Sequence, residues 1–328
     1  MKVLSSTEAL PASVTGTTVT VGTFDGVHRG HQDVLARLVR RARASELPSL
    51  LLTFEPHPLE VLNPAAAPLL LTTRDEKLAL LAATGIEYVA ILPFDAALAA
   101  LPAEAFVDRI LLETYRMREL LIGHDHGFGR GREGDVDTLR GLGASRSFEV
   151  AVVPPVETSD GTAISSSVIR RAVAAGALEA AAAALGRAYS LRGPVVEGEG
   201  RGRSLGYRTL NVQPESPRKL LPPDGVYAVD VRTTRGRFGG MLNLGERPTF
   251  DDTRRTIEAH LFDADGDFYG DVVQVAFVDK LRDTMRFDGP AALMTQLAAD
   301  ERAARRALTA VVGSGNLNGS TPVPPSTP

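Results

Sequence analysis

Hydrophobic and polar positions follow two different rhythms along the chain. From about Thr17 to Arg187, short and nearly unbroken apolar runs alternate with stretches of helical period. The runs at 17–21, 49–54, 88–92, 119–122 and 149–153 are rich in Val, Leu and Ile, which predicts strands. Between them, residues 31–44 place Leu35, Leu38, Val39 and Ala42 on one helix face, and residues 103–115 do the same with Phe106, Ile110 and Leu111. Apolar strands separated by amphipathic helices describe a parallel sheet covered on both faces, so a doubly wound α/β domain is expected.

Beyond Arg187 the rhythm changes. Candidate strands at 194–197, 226–232, 238–244, 257–262 and 272–278 are separated by turn-rich links such as Pro222-Pro223-Asp224-Gly225. One helical pattern, at 290–310, follows them. This predicts an antiparallel sheet or small β-barrel with a C-terminal helix. The alanine-rich stretch 172–185 is helical by propensity and interrupted by Gly176. The tract Asp263-Ala264-Asp265-Gly266-Asp267 has the carboxylates of a calcium loop but not its glycine or its closing glutamate, Phe268 and Gln274 standing at those positions, and is read as a hairpin turn. The expected organisation is an α/β domain over 1–186, a mainly β domain over 187–312 and a disordered tail over 313–328.

Composition narrows the function classes. Hydrophobic residues make up 44% of the 328, enough for two cores. With 36 basic against 40 acidic residues, a protein held to nucleic acid by charge is not expected. The absence of cysteine excludes disulfides, thiolate metal sites and a cysteine nucleophile. No apolar run approaches the roughly 20 residues of a membrane span, and Met1 to Glu8 lack the core of a signal peptide, so a soluble cytoplasmic protein is expected. Nothing in the composition sets an oligomeric state.

Chemistry concentrates first where the leading strand meets the leading helix, in Gly22-Thr23-Phe24-Asp25-Gly26-Val27-His28-Arg29-Gly30-His31-Gln32. Ligands of open parallel sheets bind beyond the carboxyl ends of the strands. The glycines allow close backbone approach, and the helix start offers free N–H groups to phosphate. His28 and His31, three apart, can enter one pocket. A tight turn with two surface histidines, a metal site and a nucleotide site in which two imidazoles stabilise charge on an α-phosphate all fit this spacing. The segment resembles the signature of nucleotidyltransferases with a His-x-Gly-His element, and its extended form that of the prokaryotic bifunctional riboflavin kinase/FAD synthetase family. The stretch Thr53-Phe54-Glu55-Pro56-His57-Pro58, the glycine loop from Gly123 through Asp125 and Phe128 to Gly131, and Ile164-Ser165-Ser166-Ser167-Val168-Ile169-Arg170 resemble that family as well. The resemblance implies that Gly22, Thr23, Phe24, Asp25, Gly30, Ser165, Ser166, Ser167 and Arg170 bind nucleotide, with the serines and Arg170 near pyrophosphate. His57, Asp125 and Phe128 are weaker flavin-binding candidates.

The second half carries its own motifs. The stretch from Arg192 to Tyr207 resembles the start of the family's riboflavin kinase module, and the flexible backbone and donors of Gly198-Glu199-Gly200-Arg201-Gly202 fit a cover for nucleotide phosphates, a solvated hairpin tip being the other reading. Arg208-Thr209-Leu210-Asn211 stands where the family has Pro-Thr-Ala-Asn, whose Thr and Asn hold Mg²⁺ and ATP phosphates, so Thr209 and Asn211 are the implied metal ligands. In Ile257-Glu258-Ala259-His260-Leu261, period-two alternation separates Glu258 and His260 from the apolar face. The family's catalytic base falls on Glu258. Arg282 is a further flavin-binding candidate, a surface ion pair being the other reading. The resemblance implies two reactions, riboflavin with MgATP to FMN, and FMN with ATP to FAD and pyrophosphate. Arg208 and Leu210 depart from the motif, which admits an adenylyltransferase with a silent kinase; a non-catalytic flavin-binding regulator is the rival of a different class.

Overall fold

The computed structural model describes residues 1–5, 8–124, 127–159, 161–198, 207–248 and 253–313. Lys2–Leu4 (β1), Thr17–Val21 (β2), Ser49–Glu55 (β3), Tyr88–Pro93 (β4), Met117–Gly123 (β5) and Glu149–Val153 (β6) form one parallel sheet in the order β1-β4-β3-β2-β5-β6. All five residues of β2 are buried. The chain steps from β2 to β3 on one side and later returns as β5 on the other. The end of β2 is therefore a topological switch point, where such sheets leave a crevice for ligands. β1 escapes a sequence reading because three residues are too few to show a period.

The intervening helices are Arg29–Ala44 (α1), Pro58–Leu62 (α2), Arg74–Ala82 (α3), Ala96–Ala99 (α4), Ala103–Ala105 (α5) and Val136–Arg146 (α6). α1 buries Leu35, Leu38, Val39 and Ala42, the face its periodicity predicts. The expected helix at 103–115 is found, but Phe106–Thr114 is π-helical and buries Phe106, Val107 and Leu111, leaving Ile110 only half-buried. Bonds from i to i+5 bring Phe106 and Leu111 over one another and rotate Ile110 toward the edge.

The chain divides into two compact units, Met1–Pro68 with Leu80–Ser165, and Leu69–Ala79 with the residues from Ser166 onward. The second contains Ser166–Ala174 (α7) and Leu178–Leu185 (α8), broken apart at Gly176, whose φ of +75° favours glycine. It also contains a closed barrel of Ser190–Val196 (β7), Leu210–Val212 (β8), Gly225–Thr233 (β9), Gly236–Pro248 (β10), Thr253–Leu261 (β11) and Val272–Arg282 (β12), in the order β10-β11-β8-β7-β12-β9. Leu191, Val195, Leu210, Val212, Tyr227, Val229, Leu242, Leu244, Ile257, Val273, Val275 and Phe277 are buried at alternate positions and fill it. Closure leaves no sheet edge. The turn after β11 is present, with Asp263 at φ +55°, but it is not a hairpin, because β11 pairs with β10 and β8 while β12 pairs with β7 and β9. Ring closure separates these two consecutive strands.

Pro290–Gly313 (α9) covers part of the barrel's outside, joining Ala304, Leu297 and Leu308 to Met241, Ala228 and Phe262. The segment Leu69–Ala79 is also built into this unit. Leu70 bridges Lys219, and the Lys219 ammonium, 1% exposed, donates to Glu76 Oε2 at 2.6 Å and to the Leu71 carbonyl at 2.7 Å. Glu76 accepts further bonds from the N–H groups of Thr73 and Arg192. A buried ion pair tolerates desolvation only when its remaining lone pairs and protons are matched in this way.

Candidate active sites

The first locus is the loop leaving β2. Gly22 N–H donates to the Leu52 carbonyl and ends the ladder, and the chain then runs through positive φ at Phe24 (+49°), Gly26 (+84°) and Val27 (+38°). A β-branched residue at positive φ is strained, and such residues gather where function over-determines the backbone. Gln32 Nε2 holds the turn by donating to the Val27 carbonyl at 2.8 Å.

His28 caps α1. Its backbone is extended, its side chain is 5% exposed, and its Nδ1 accepts from His31 N–H at 3.3 Å. Ser, Thr, Asp or Asn usually does this work. An imidazole that accepts at Nδ1 carries its proton on Nε2, so His28 presents a ring donor away from the helix. His31 stacks on it with ring centres 3.6 Å apart and planes 18° from parallel, and Phe24 closes the stack at 4.6 Å from His31. Gly30 leaves the necessary room, because a Cβ there would come within 3.2 Å of the His28 ring and 3.6 Å of the Ile164 carbonyl. The first turn of α1 carries no acidic side chain.

The other candidates of the first half are distributed as follows. Asp25 is buried in the same loop, and the Thr23 carbonyl accepts from Thr53 Oγ1. Ile164 brings Ser165 to the Gly30 side, while Ser166, Ser167 and Arg170 belong to α7 in the second unit, where Arg170 Nε donates to the Leu69 carbonyl. His57 caps α2, its Nδ1 accepting from Leu59 N–H and its own N–H donating to Glu60. Phe128 is buried in the core with its ring 4.9 Å from Phe106. Asp125 lies outside the described residues.

The second locus is a belt on the outside of the barrel. Strand register places Val196, Asn211, Glu258, Asn243, Val226 and Arg282 side by side on successive strands β7, β8, β11, β10, β9 and β12. Directly opposed residues have Cβ atoms about 5 Å apart. Asn211 and Glu258 are thus immediate neighbours, while Leu210, Ile257 and Ala259 between them point into the core. Thr209, two before Asn211, shares its side of the chain. Gly198 packs so closely on this group that a Cβ would fall 1.9 Å from Asn211 Nδ2. Gly200, Arg201 and Gly202 lie outside the described residues.

The two departures from the motif have a structural account. Leu210 is 8% exposed and fills the barrel, and Arg208, on the same side of the chain, donates from Nη1 to the Gly266 carbonyl at 3.0 Å. Neither occupies the side that carries Thr209 and Asn211. Arg282 is held by Asp300 of α9 at 2.7–3.1 Å through Nε and Nη2, and Asp300 is 3% exposed. The ion-pair reading of Arg282 describes its contacts. Asn243 has no assigned role in the sequence reading, since only the register shows that it adjoins Glu258.

The chain thus carries one candidate site in each of two units, the arrangement of a two-module protein. Residues 10–168 match the family described as FAD synthetase, and residues 185–308 match riboflavin kinase. The chain is 38% identical over 291 residues to the bifunctional riboflavin kinase/FMN adenylyltransferase of Escherichia coli K12, and 40% identical over 291 residues to that of Pseudomonas fluorescens; each match covers 88% of this chain and 92% of the relative. A crystal structure described as a macrolide-efflux protein from Streptococcus pneumoniae is 32% identical, with a TM-score of 0.81, covering 92% of this chain and 98% of that one. Among the described residues here, no helix is long and apolar enough to cross a membrane. The chain belongs to the bifunctional riboflavin kinase/FMN adenylyltransferase family.

Proposed function

We propose that this protein converts riboflavin to FAD in two ATP-dependent steps, the first in the module assigned to 187–312 and the second in that assigned to 1–186. In the first, the terminal hydroxyl of the ribityl chain attacks the γ-phosphorus of ATP. Glu258 accepts the hydroxyl proton as the new P–O bond forms, and ADP departs with FMN left behind. The observation that carries this reading is the register that sets Glu258 directly across from Asn211 on the barrel's outer face. Thr209 and Asn211 offer hard, neutral oxygens, a donor set that suits Mg²⁺ delivered on nucleotide phosphates rather than a resident ion; among the described residues no cluster of three His, Cys, Asp or Glu could hold a metal. Bound there, Mg²⁺ would offset charge building on the transferring phosphoryl group.

In the second step an oxygen of the FMN phosphate attacks the α-phosphorus of a further ATP, and pyrophosphate leaves. This nucleophile is already anionic and needs no base. The Nε2 proton of His28, the His31 ring and the N–H groups opening α1 supply donors for the α-phosphate, with Gly22, Thr23, Phe24, Asp25 and Gly30 shaping the cradle. Ser165, Ser166, Ser167 and Arg170 are assigned to pyrophosphate on the family resemblance. His57, Asp125, Phe128 and Arg282 remain flavin candidates on the same ground. Use of ATP for both steps supports a cytoplasmic location.

Incubation of the full chain with riboflavin, ATP and Mg²⁺, followed by product separation, tests the proposal. FMN should rise first and FAD follow, with ADP and pyrophosphate released in turn. FAD formed from supplied FMN, with none from riboflavin, would leave only the adenylyltransferase. Gly198→Ala probes the barrel site more finely. The added methyl displaces the Asn211 amide, so FMN formation should fall at least about tenfold while FMN adenylylation in the same preparation is unchanged. An equal loss of both activities would point to general misfolding.

A further inference from the structure

Asn243 stands exposed on β10 between the buried Leu242 and Leu244, in direct register with Glu258. Among the described residues its carboxamide makes no side-chain hydrogen bond. Two positions along the same face, Gly245 is buried. A Cβ at Gly245 would lie 3.9 Å from Asn243 Nδ2 and 3.5 Å from Thr284 Cγ2. Asn243 is thus an exposed, neutral amide one strand from the proposed base, with the Thr284 methyl packed over Gly245 beside it.

That chemistry suits a polyhydroxy chain. Glu258 can accept the proton of one hydroxyl only, and the adjacent hydroxyls of a ribityl chain each need a partner that donates, accepts or does both. A carboxamide does both and carries no charge. We infer that Asn243 binds the polyol of the phosphoryl acceptor and holds its terminal hydroxyl against Glu258. In this arrangement the hydroxyl proton passes to Glu258 as the oxygen bonds to the γ-phosphorus, and the bond from that phosphorus to the bridging oxygen of ADP breaks. The inference rests on the reading of Glu258 as the base.

Steady-state kinetics of Asn243 variants in the full chain test it, with FMN adenylylation as an internal control. Asn243→Ala should lower kcat/KM for riboflavin about 10- to 100-fold, the effect of one lost hydrogen bond at a reacting group, with the KM for ATP held within about twofold. Asn243→Ser, whose hydroxyl both donates and accepts, should recover part of the loss. Adenylylation should be unaffected in both variants. The inference is overturned if Asn243→Ala phosphorylates riboflavin within about twofold of the wild type, or if the loss falls on the KM for ATP instead. A wild-type chain that forms no FMN would defeat the kinase reading itself, and this inference with it.

Discussion

Glu258→Gln is expected to slow phosphorylation of riboflavin by about 10²- to 10⁴-fold, the usual contribution of a positioned general base. The substitution is nearly isosteric and replaces the proton-accepting carboxylate with a neutral amide. Its surroundings give little reason for collateral damage: Glu258 lies on the outer face of β11, and Ile257 and Ala259, which fill the barrel, are untouched. The KM for ATP should change little, since the carboxylate serves the acceptor alcohol. FMN adenylylation should continue at the wild-type rate. Rates of FMN formation from riboflavin, measured beside FAD formation from supplied FMN, check both statements. A variant that keeps more than about a tenth of its kinase activity would remove Glu258 from the role of base.

His28→Asn should have the opposite selectivity and a comparable size. Because His28 caps α1 through Nδ1, the common alanine replacement confounds two effects, loss of a helix cap worth about 1 kcal/mol and loss of the ring. Asparagine is among the preferred capping residues, and its Oδ1 can accept from His31 N–H in place of the ring nitrogen. It cannot reproduce the outward Nε2 donor or the stack on His31. FMN adenylylation is therefore expected to fall about 10²- to 10³-fold, the scale for removal of one donor aimed at developing phosphate charge. Riboflavin phosphorylation should be unchanged, and thermal denaturation should show a midpoint close to the wild type. Retained adenylylation in His28→Asn would mean that the first histidine serves the helix and not the α-phosphate.

The sequence was legible where local periodicity carries the information. The face of α1 made by Leu35, Leu38, Val39 and Ala42 is buried as its spacing implies, because a helix interior repeats every 3.6 residues whatever it packs against. The alternation through Ile257, Glu258, Ala259 and His260 likewise assigned inside and outside correctly. Short elements were not legible: β8 has three residues, Leu210–Val212, and no period can be read from so few. The turn at 263–267 was recognisable from its Asp and Gly residues, but not which strands it joins, since β11 and β12 find their partners elsewhere in the ring.

The departure at Arg208 and Leu210 shows the same division. As sequence, a cation and a bulky residue inside a metal-binding motif argue against the kinase. In the fold, the side chains alternate across the strand: Leu210 packs inward and Arg208 reaches Gly266, so the positions that matter keep their Thr and Asn. Residue types and their spacing alone determined that Thr209 and Asn211 share one side of an extended segment, and that His28 and His31 sit at a helix entrance. Tertiary structure alone decided that Asn211, Glu258 and Asn243 stand in one row. Strands distant in the chain must first close a ring, and a slip of one residue in any pairing would turn a whole strand's side chains to the other face.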